Sequence, residues 1–211
     1  MTQDGRLIRG ERTRSAVLDQ ALLLATVSGL DGLSLSQVAD ALGVSKSGLF
    51  AHWRSKEALQ LAVVDQARAQ WTDRVIRPAL TAPAGVRRLW AVHLSRLAFY
   101  EAKVLPGGCF FANAHFEFNA RPGAVRDRLA AEQTDWMTFL TGLATDAVTL
   151  GDLRPGTDPA VLAYHVEALG VCTVMQAPVL GPGITYPHAR RALLDHLRAV
   201  SIDPTILPEQ P

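Results

Sequence analysis

The sequence predicts an all-α protein of about nine helices, with a small domain over residues 1–54 and a larger helical domain over residues 55–211. Three observations carry this. Apolar residues recur at the i, i+3, i+4 spacing of a helix through most of the chain, and no segment sustains the alternation of a strand. Clusters of Pro and Gly interrupt that periodicity, dividing it into helix-sized pieces. A length of 211 residues with 48% hydrophobic and 19% charged content suits one or two globular domains with a sizeable core.

The first helix is expected over residues 13–28, where Val17, Leu18, Ala21, Leu24 and Ala25 form one apolar stripe and Gly29 ends it. Ser34 supplies an N-cap oxygen for the next helix, and Gln37, three residues on, can close a capping box. That helix runs from Leu35 to Leu42, with Leu35, Val38, Ala39 and Leu42 on one face. Gly43 leaves it with positive φ, Val44 plugs the angle between helices, and Ser45 caps a second short helix. In the second helix Leu49 and Trp53 point inward, leaving Lys46, Ser47, Gly48, Ala51 and His52 outward. Two short helices joined by a tight turn, with small and hydrogen-bonding residues outward, make a helix-turn-helix suited to a major groove.

Ser55 caps a long helix that is expected to reach Ile76 and stop before Pro78, connecting the two domains. Further helices are expected near residues 84–103, 109–119, 124–150, 159–177 and 188–201. Asp158 followed by Pro159 is a cap and first-turn pair, while Pro106-Gly107-Gly108 and Gly181-Pro182-Gly183 read as loops. The tail from Asp203 is expected to be loose.

Thr13-Arg14, Val17-Leu18, Ala21, Gly29, Leu33-Ser34, Val38-Ala39, Leu42-Gly43-Val44-Ser45, Gly48-Leu49-Phe50, His52-Trp53 and Lys56-Glu57-Ala58-Leu59 together resemble the TetR family of bacterial transcriptional regulators. Two positions depart: the family usually has tyrosine where Phe50 stands and phenylalanine where Trp53 stands, and the loss of a phenol removes one expected phosphate hydrogen bond. The segment from Pro106 to Phe118, then Arg121-Pro122-Gly123-Ala124-Val125-Arg126-Asp127, more loosely resembles the effector domain of one large TetR subgroup. On this reading Ser45, Lys46 and Ser47 stand at base edges, Gly48 permits close backbone approach, and Arg14, Ser34, His52 and Lys56 hold phosphates.

Bulk charge does not argue for nucleic acid. The formal net charge is +1, and residues 1–60 hold seven Lys/Arg against six Asp/Glu, so the DNA reading rests on placement. Locally, Arg6, Arg9, Arg12 and Arg14 face only Asp4 and Glu11, a basic arm able to lie on phosphates or in a minor groove. The polar N-terminus has no secretory pattern, so a cytoplasmic protein is expected. The apolar run 161–180 is broken by His165, Glu167, Gln176 and Pro178, which favours a buried helix over a membrane span. Cys109 and Cys172 match no metal or redox spacing, so two reduced, largely buried thiols are expected, with no metal and no cofactor.

The last two predicted helices carry the partner expectation. Residues 161–175 leave almost no polar face, and a helix apolar all round must be buried all round. With the stripe of the final helix, Val161, Leu169, Cys172, Ala189, Leu193 and Leu197 are expected in a two-fold interface, as the resemblance also implies through a four-helix dimer contact. The middle helices hold most aromatics, and the family's habit of binding small molecules there makes Trp90, His93, Phe110, Asn113, His115, Trp136, Phe139 and His165 the candidate effector contacts, with Glu117 and Glu167 as further polar handles. The expected function is a homodimeric, sequence-specific regulator on a pseudo-palindromic double-stranded operator, a repressor released by a small, largely apolar molecule. A helical adaptor without DNA binding is one alternative. The other is an enzyme with Cys109 as nucleophile and His115 or His93 as base, for which no nucleophile or phosphate-loop signature exists.

Overall fold

A computed structural model of the chain describes residues 4–50 and 52–211; the side chains of residues 4–13, 48 and 50 lie outside the described part. The arginines of the predicted basic arm at 6, 9 and 12, and Ala51 on the predicted outward face, therefore fall outside it. The described elements are α1 (Asp4–Ser28), α2 (Leu35–Leu42), α3 (Lys46–Phe50), α4 (Lys56–Trp71), α5 (Val86–Glu101), α6 (Phe110–Phe118), α7 (Ala124–Thr149), α8 (Pro159–Leu180) and α9 (Pro182–Val200). The fold is all-helical, as expected. Its single extended feature among the described residues is an isolated bridge between Leu153 and Ser201.

Most boundaries follow local chemistry. Asp158 Oδ1 accepts from the N–H groups of Ala160 (2.8 Å) and Val161 (3.2 Å), and Pro159 occupies the first turn, where a missing N–H costs nothing. Three expectations need correction. The helix begun at Lys56 does not stop before Pro78 but continues through a π-helical turn (Thr72–Ile76) into Arg77–Ala79, the wider turn absorbing the proline. Of the predicted Gly181-Pro182-Gly183 loop only Gly181 leaves the helical path, because Pro182 is pre-organised for the start of α9. The tail is docked: Asp203 caps a 3-10 turn (Pro204–Ile206), Leu207 is buried, and Arg198 Nη1 donates to the carbonyls of Leu207 (3.3 Å) and Pro208 (2.8 Å).

The described chain forms two compact units. The first comprises Met1–Gln70 with Leu105–Ala131, the second Trp71–Val104 with Glu132–Pro211. In the first, Val17, Leu18, Ala21, Leu22 and Ala25 of α1 are buried, as are Leu35, Val38, Ala39, Leu49 and Trp53 of the helix-turn-helix and Leu59, Val63 and Val64 of α4. α6 joins this unit because its side chains bind the end of α1 and the turn after it: Asn113 Nδ2 donates to the carbonyls of Gly107 (2.9 Å) and Thr26 (3.4 Å), and Glu117 binds two backbone amides beyond.

The second unit has its own core, built from Leu89, Trp90 and Val92 of α5, Leu140, Leu143 and Ala144 of α7, Leu162 and Val166 of α8, and Leu193, Leu194 and Leu197 of α9. A buried charge pair crosses it. Arg96 Nη1 donates to Glu167 Oε2 at 2.8 Å, Trp136 Nε1 donates to the same oxygen at 2.7 Å, and Arg96 Nε donates to the Tyr100 hydroxyl at 2.9 Å. The guanidinium carbon lies 5.8–5.9 Å from the ring centroids of Trp71, Tyr100 and Trp136, within cation–π range. Gly170 leaves the space it occupies, since a Cβ there would stand 2.1 Å from the guanidinium.

Candidate nucleic-acid interface

The reading helix is positioned by short-range chemistry. The Ser34 Oγ accepts from the Gln37 N–H (3.2 Å), and the Gln37 Oε1 accepts from the Ser34 N–H (2.9 Å), so the capping box that opens α2 is complete. Gly43 ends α2 with φ 65° and donates its N–H back into the helix, a left-handed cap that a side chain would strain. Val44 does not plug the inter-helix angle, because it lies 46% exposed; buried Leu49 and Trp53 do the packing instead. With those two side chains inward, Ser45, Lys46, Ser47 and His52 are all exposed, and the Ser45 and Ser47 hydroxyls lie 3.3 Å apart. α3 therefore presents a small, polar, donor-rich face to solvent.

The residues expected at phosphates are more engaged. The exposed Arg14 stacks its guanidinium 5.2 Å from the ring centroid of Trp53, so the indole that replaces phenylalanine also steadies this cation. Ser34 is occupied by its cap. Lys56 Nζ donates to Asp31 Oδ1 at 3.2 Å, and Asp31 Oδ2 lies 2.6 Å from Arg121 Nη1. Arg121 is a cation of this unit that sequence reasoning did not place near the helix-turn-helix; its acidic partner lies ninety positions away along the chain.

Comparison with known proteins agrees with this architecture. Residues 17–63 match the family described as "Bacterial regulatory proteins, tetR family", and residues 85–193, more than half of the chain, match "Tetracyclin repressor-like, C-terminal domain". The chain belongs to the TetR family. It is thus a DNA-binding transcriptional regulator, and the family's members are regulators and not enzymes, which removes the Cys109 nucleophile reading. Among relatives, the HTH-type transcriptional repressor ComR of Escherichia coli K12 is 24% identical over 157 residues, 74% of this chain and 75% of that one. Among solved structures, a TetR transcriptional regulator from Chloroflexus aurantiacus superposes with a TM-score of 0.84 at 28% identity, covering 92% of this chain and 98% of that one. AibR, solved with isovaleryl coenzyme A and operator DNA, superposes with a TM-score of 0.63 at 22% identity over 76% of this chain and 84% of that one.

In this TetR-family chain the eight residues expected to hold an effector divide between the two units. Phe110, Asn113 and His115 belong to the first unit, where Phe110 is buried and Asn113 is a backbone clamp; Glu117 is a clamp of the same kind. Trp90, His93, Trp136, Phe139 and His165 belong to the second. Of these, Trp90 and His93 are core, Trp136 donates to Glu167, Phe139 stacks on Trp136 at 5.6 Å between centroids, and His165 is exposed, edge-on to His196 at 4.9 Å. An open groove of about 660 Å³ runs along α7, lined by Gln133, Thr134, Met137, Thr138, Thr141, Gly142, Thr145 and Asp146, none of them among those eight.

His93 is fully buried, and its Nε2 lies 3.2 Å from the Ala189 carbonyl oxygen, so the proton sits on Nε2 and the ring is neutral. Burial first, and the nearby Arg96 charge second, push the imidazole down to about 3. Unfolded, the ring binds a proton near pH 6.5, so its contribution to stability is complete above that pH and is lost as pH falls toward 3. Stability should decline by up to about 1.4 kcal/mol per pH unit below 6.5. His93→Gln should flatten the melting-temperature profile between pH 6.5 and 5, above the carboxylate range. His196, also lowered by burial and by His165, contributes to wild type and variant alike. Parallel profiles for the two proteins would exclude His93 as the source.

The expected dimer residues divide. Ala189, Leu193 and Leu197 are buried within their own chain, and Leu169 is partly buried against the same core. Val161 and Cys172 are exposed, as are Tyr164, Met175 and Val179 on the same face of α8. The prediction that α8 is buried all round therefore fails for the single chain, where Val161, Tyr164, Met175 and Val179 all stand open to solvent. The periodicity hid this, because a helix apolar on every side does not disclose which side packs inward.

Proposed function

We propose that this regulator is a homodimeric repressor whose two α3 helices read successive major grooves of a pseudo-palindromic double-stranded operator, and that a small, largely apolar molecule taken up by the C-terminal half releases it. The observation that carries the DNA part is the outward face of α3, where Ser45, Lys46, Ser47 and His52 are exposed on a buried Leu49–Trp53 footing. That face also disfavours an adaptor that has lost DNA binding. Two such helices must stand about 34–36 Å apart on one face of the duplex, which a dimer provides. The repressor sign is supported by ComR, a transcriptional repressor, and the pairing of effector with operator by AibR, solved with both. The aromatic cluster of Trp71, Phe99, Tyr100, Trp136 and Phe139 supports an apolar effector. An effector acts only through its differential affinity, binding the DNA-free form more tightly than the DNA-competent one.

Selection of bound fragments from the host genome, repeated with candidate metabolites, tests the reading. On the operator so found, Lys46→Ala should relax the preference at one position per half-site, at a cost of about 1–3 kcal/mol. An unchanged preference at every position removes Lys46 from base reading, and failure to select any fragment removes the operator itself.

A further inference from the structure

The turn between α1 and α2 is gripped from two other elements. The Glu117 carboxylate on α6 accepts from the Leu30 N–H (2.8 Å) and the Asp31 N–H (2.9 Å), and Gln60 Nε2 on α4 donates to the Leu30 carbonyl (2.9 Å). With its backbone so held, Asp31 places one carboxylate oxygen on Lys56 and the other on Arg121. Those two hydrogen bonds, Arg121's first, keep the carboxyl below the usual range and ionised. All three side chains are nevertheless open to solvent, at 45% for Asp31, 50% for Lys56 and 52% for Arg121.

The place of this cluster matters. Asp31 lies three residues ahead of the Ser34 cap of α2, and Lys56 is the first residue of α4, immediately after the reading helix and its turn. In a docked helix-turn-helix the first helix of the motif crosses the DNA backbone, and phosphates are held by Lys and Arg and by helix N-termini. Two cations converging on one carboxylate at that edge have the geometry of a phosphate site with its anion supplied internally.

We propose that Asp31 is an internal stand-in for a DNA phosphate: in the free protein it holds Lys56 and Arg121 together, and on the duplex a backbone phosphate takes its place. Arg121, from the segment that follows α6, is then a DNA-backbone contact. The inference rests on the DNA-reading role proposed above. The exchange is feasible because half-exposed ion pairs are weak and solvent-screened, whereas each phosphate neutralised also releases condensed counterions. Asp31 thereby lowers affinity for every duplex by a similar factor, because a phosphate contact carries no sequence information.

The test uses a labelled random-sequence duplex and the selected operator, titrated by fluorescence anisotropy between about 50 and 200 mM salt. The proteins are the full-length wild type, Asp31→Asn, Arg121→Ala, Arg121→Lys and Lys46→Ala, each checked by its melting temperature. Asp31→Asn should bind the random duplex about tenfold more tightly at the lowest salt, Arg121→Ala should flatten the logarithmic salt slope by about one, and Arg121→Lys should restore it. A wild-type slope for Arg121→Ala, or an Asp31→Asn that weakens binding alongside it, overturns the proposal and leaves the trio an internal brace. Should Arg121→Ala melt early, the asparagine variant alone decides, being isosteric and able to keep both backbone bonds to Glu117. If the wild type binds neither duplex, the DNA-reading role itself fails; if it binds and loses operator preference with Lys46→Ala while the Asp31 and Arg121 variants match it, only this inference fails.

Discussion

Aspartate at both Tyr164 and Met175 is expected to convert the protein to monomers and to weaken operator binding at least a hundredfold, roughly the avidity lost when two linked reading helices become one. The expectation follows from the state of α8 in a single chain. Tyr164 is 66% exposed, Met175 53% and Val179 83%, on a helix of 22 residues with no charged side chain on that face. A continuous apolar strip of this kind is the mark of a surface that a partner covers, and a second copy of the chain presents the same strip in return. The substitutions remove no core contact, so the melting temperature of the monomer should stay within a few degrees of that of the diluted wild type, about 1 kcal/mol or less. Sedimentation velocity reads the first effect and anisotropy on the operator the second; a variant that remains dimeric removes α8 from the interface. Leu193→Asp provides the contrast. That side chain is fully buried in its own chain, so a carboxylate there should unfold the second unit instead of separating two intact copies.

Glu167→Ala is expected to destabilise the protein by about 3–5 kcal/mol, because it removes the carboxylate that the buried Arg96 guanidinium holds at 2.8 Å. The Arg96 side chain is only 3% exposed and that of Glu167 15%, so water cannot take the place of the carboxylate without repacking α5 against α8. The rings of Trp71, Tyr100 and Trp136 give the cation partial compensation, which does not replace the carboxylate that also accepts the Trp136 N–H. Converting both charges to apolar residues of similar volume, Arg96→Met with Glu167→Leu, should recover most of the loss, since neither member of the pair is then left without the other. Urea unfolding of the two variants checks both statements; a single variant that loses less than about 1 kcal/mol would show that Arg96 does not depend on Glu167. Acid should act in the same direction. Burial raises the Glu167 carboxyl, but the Arg96 charge and the hydrogen bonds from Trp136, Arg96 and Gln133 outweigh it and hold the group below 4.5. Its contribution is therefore complete above that pH and is lost as pH falls through the lowered value.

The helix-turn-helix was legible residue by residue, because everything that defines it acts over three or four positions. Ser34 and Gln37 meet because they lie three apart on a helix start, Gly43 reverses the chain because it alone adopts φ 65° without strain, and Leu49 faces inward because the stripe of α3 has one phase. The same range explains Asp158 and Pro159 at the start of α8. Side chains whose partners are distant in sequence were not legible. Asn113 and Glu117 carry the chemistry of ligand handles, yet they spend it on backbone groups near α1, more than eighty positions earlier. His93 was a candidate ligand contact by residue type alone, and only the Ala189 carbonyl of α9 identifies it as a core residue.

The C-terminal half shows the division most plainly. Periodicity alone determined that α8 and α9 are helices and that α9 has one apolar face, since a helix repeats every 3.6 residues whatever surrounds it. It could not determine that Leu193 and Leu197 serve the chain's own core while Val161 and Tyr164 stay open, because both pairs are apolar at helical spacing and only their neighbours differ. Local rules choose the conformation of a segment; which of its faces is buried, and which cation meets which carboxylate, is decided when distant segments compete for the same space and the buried charges must find partners there.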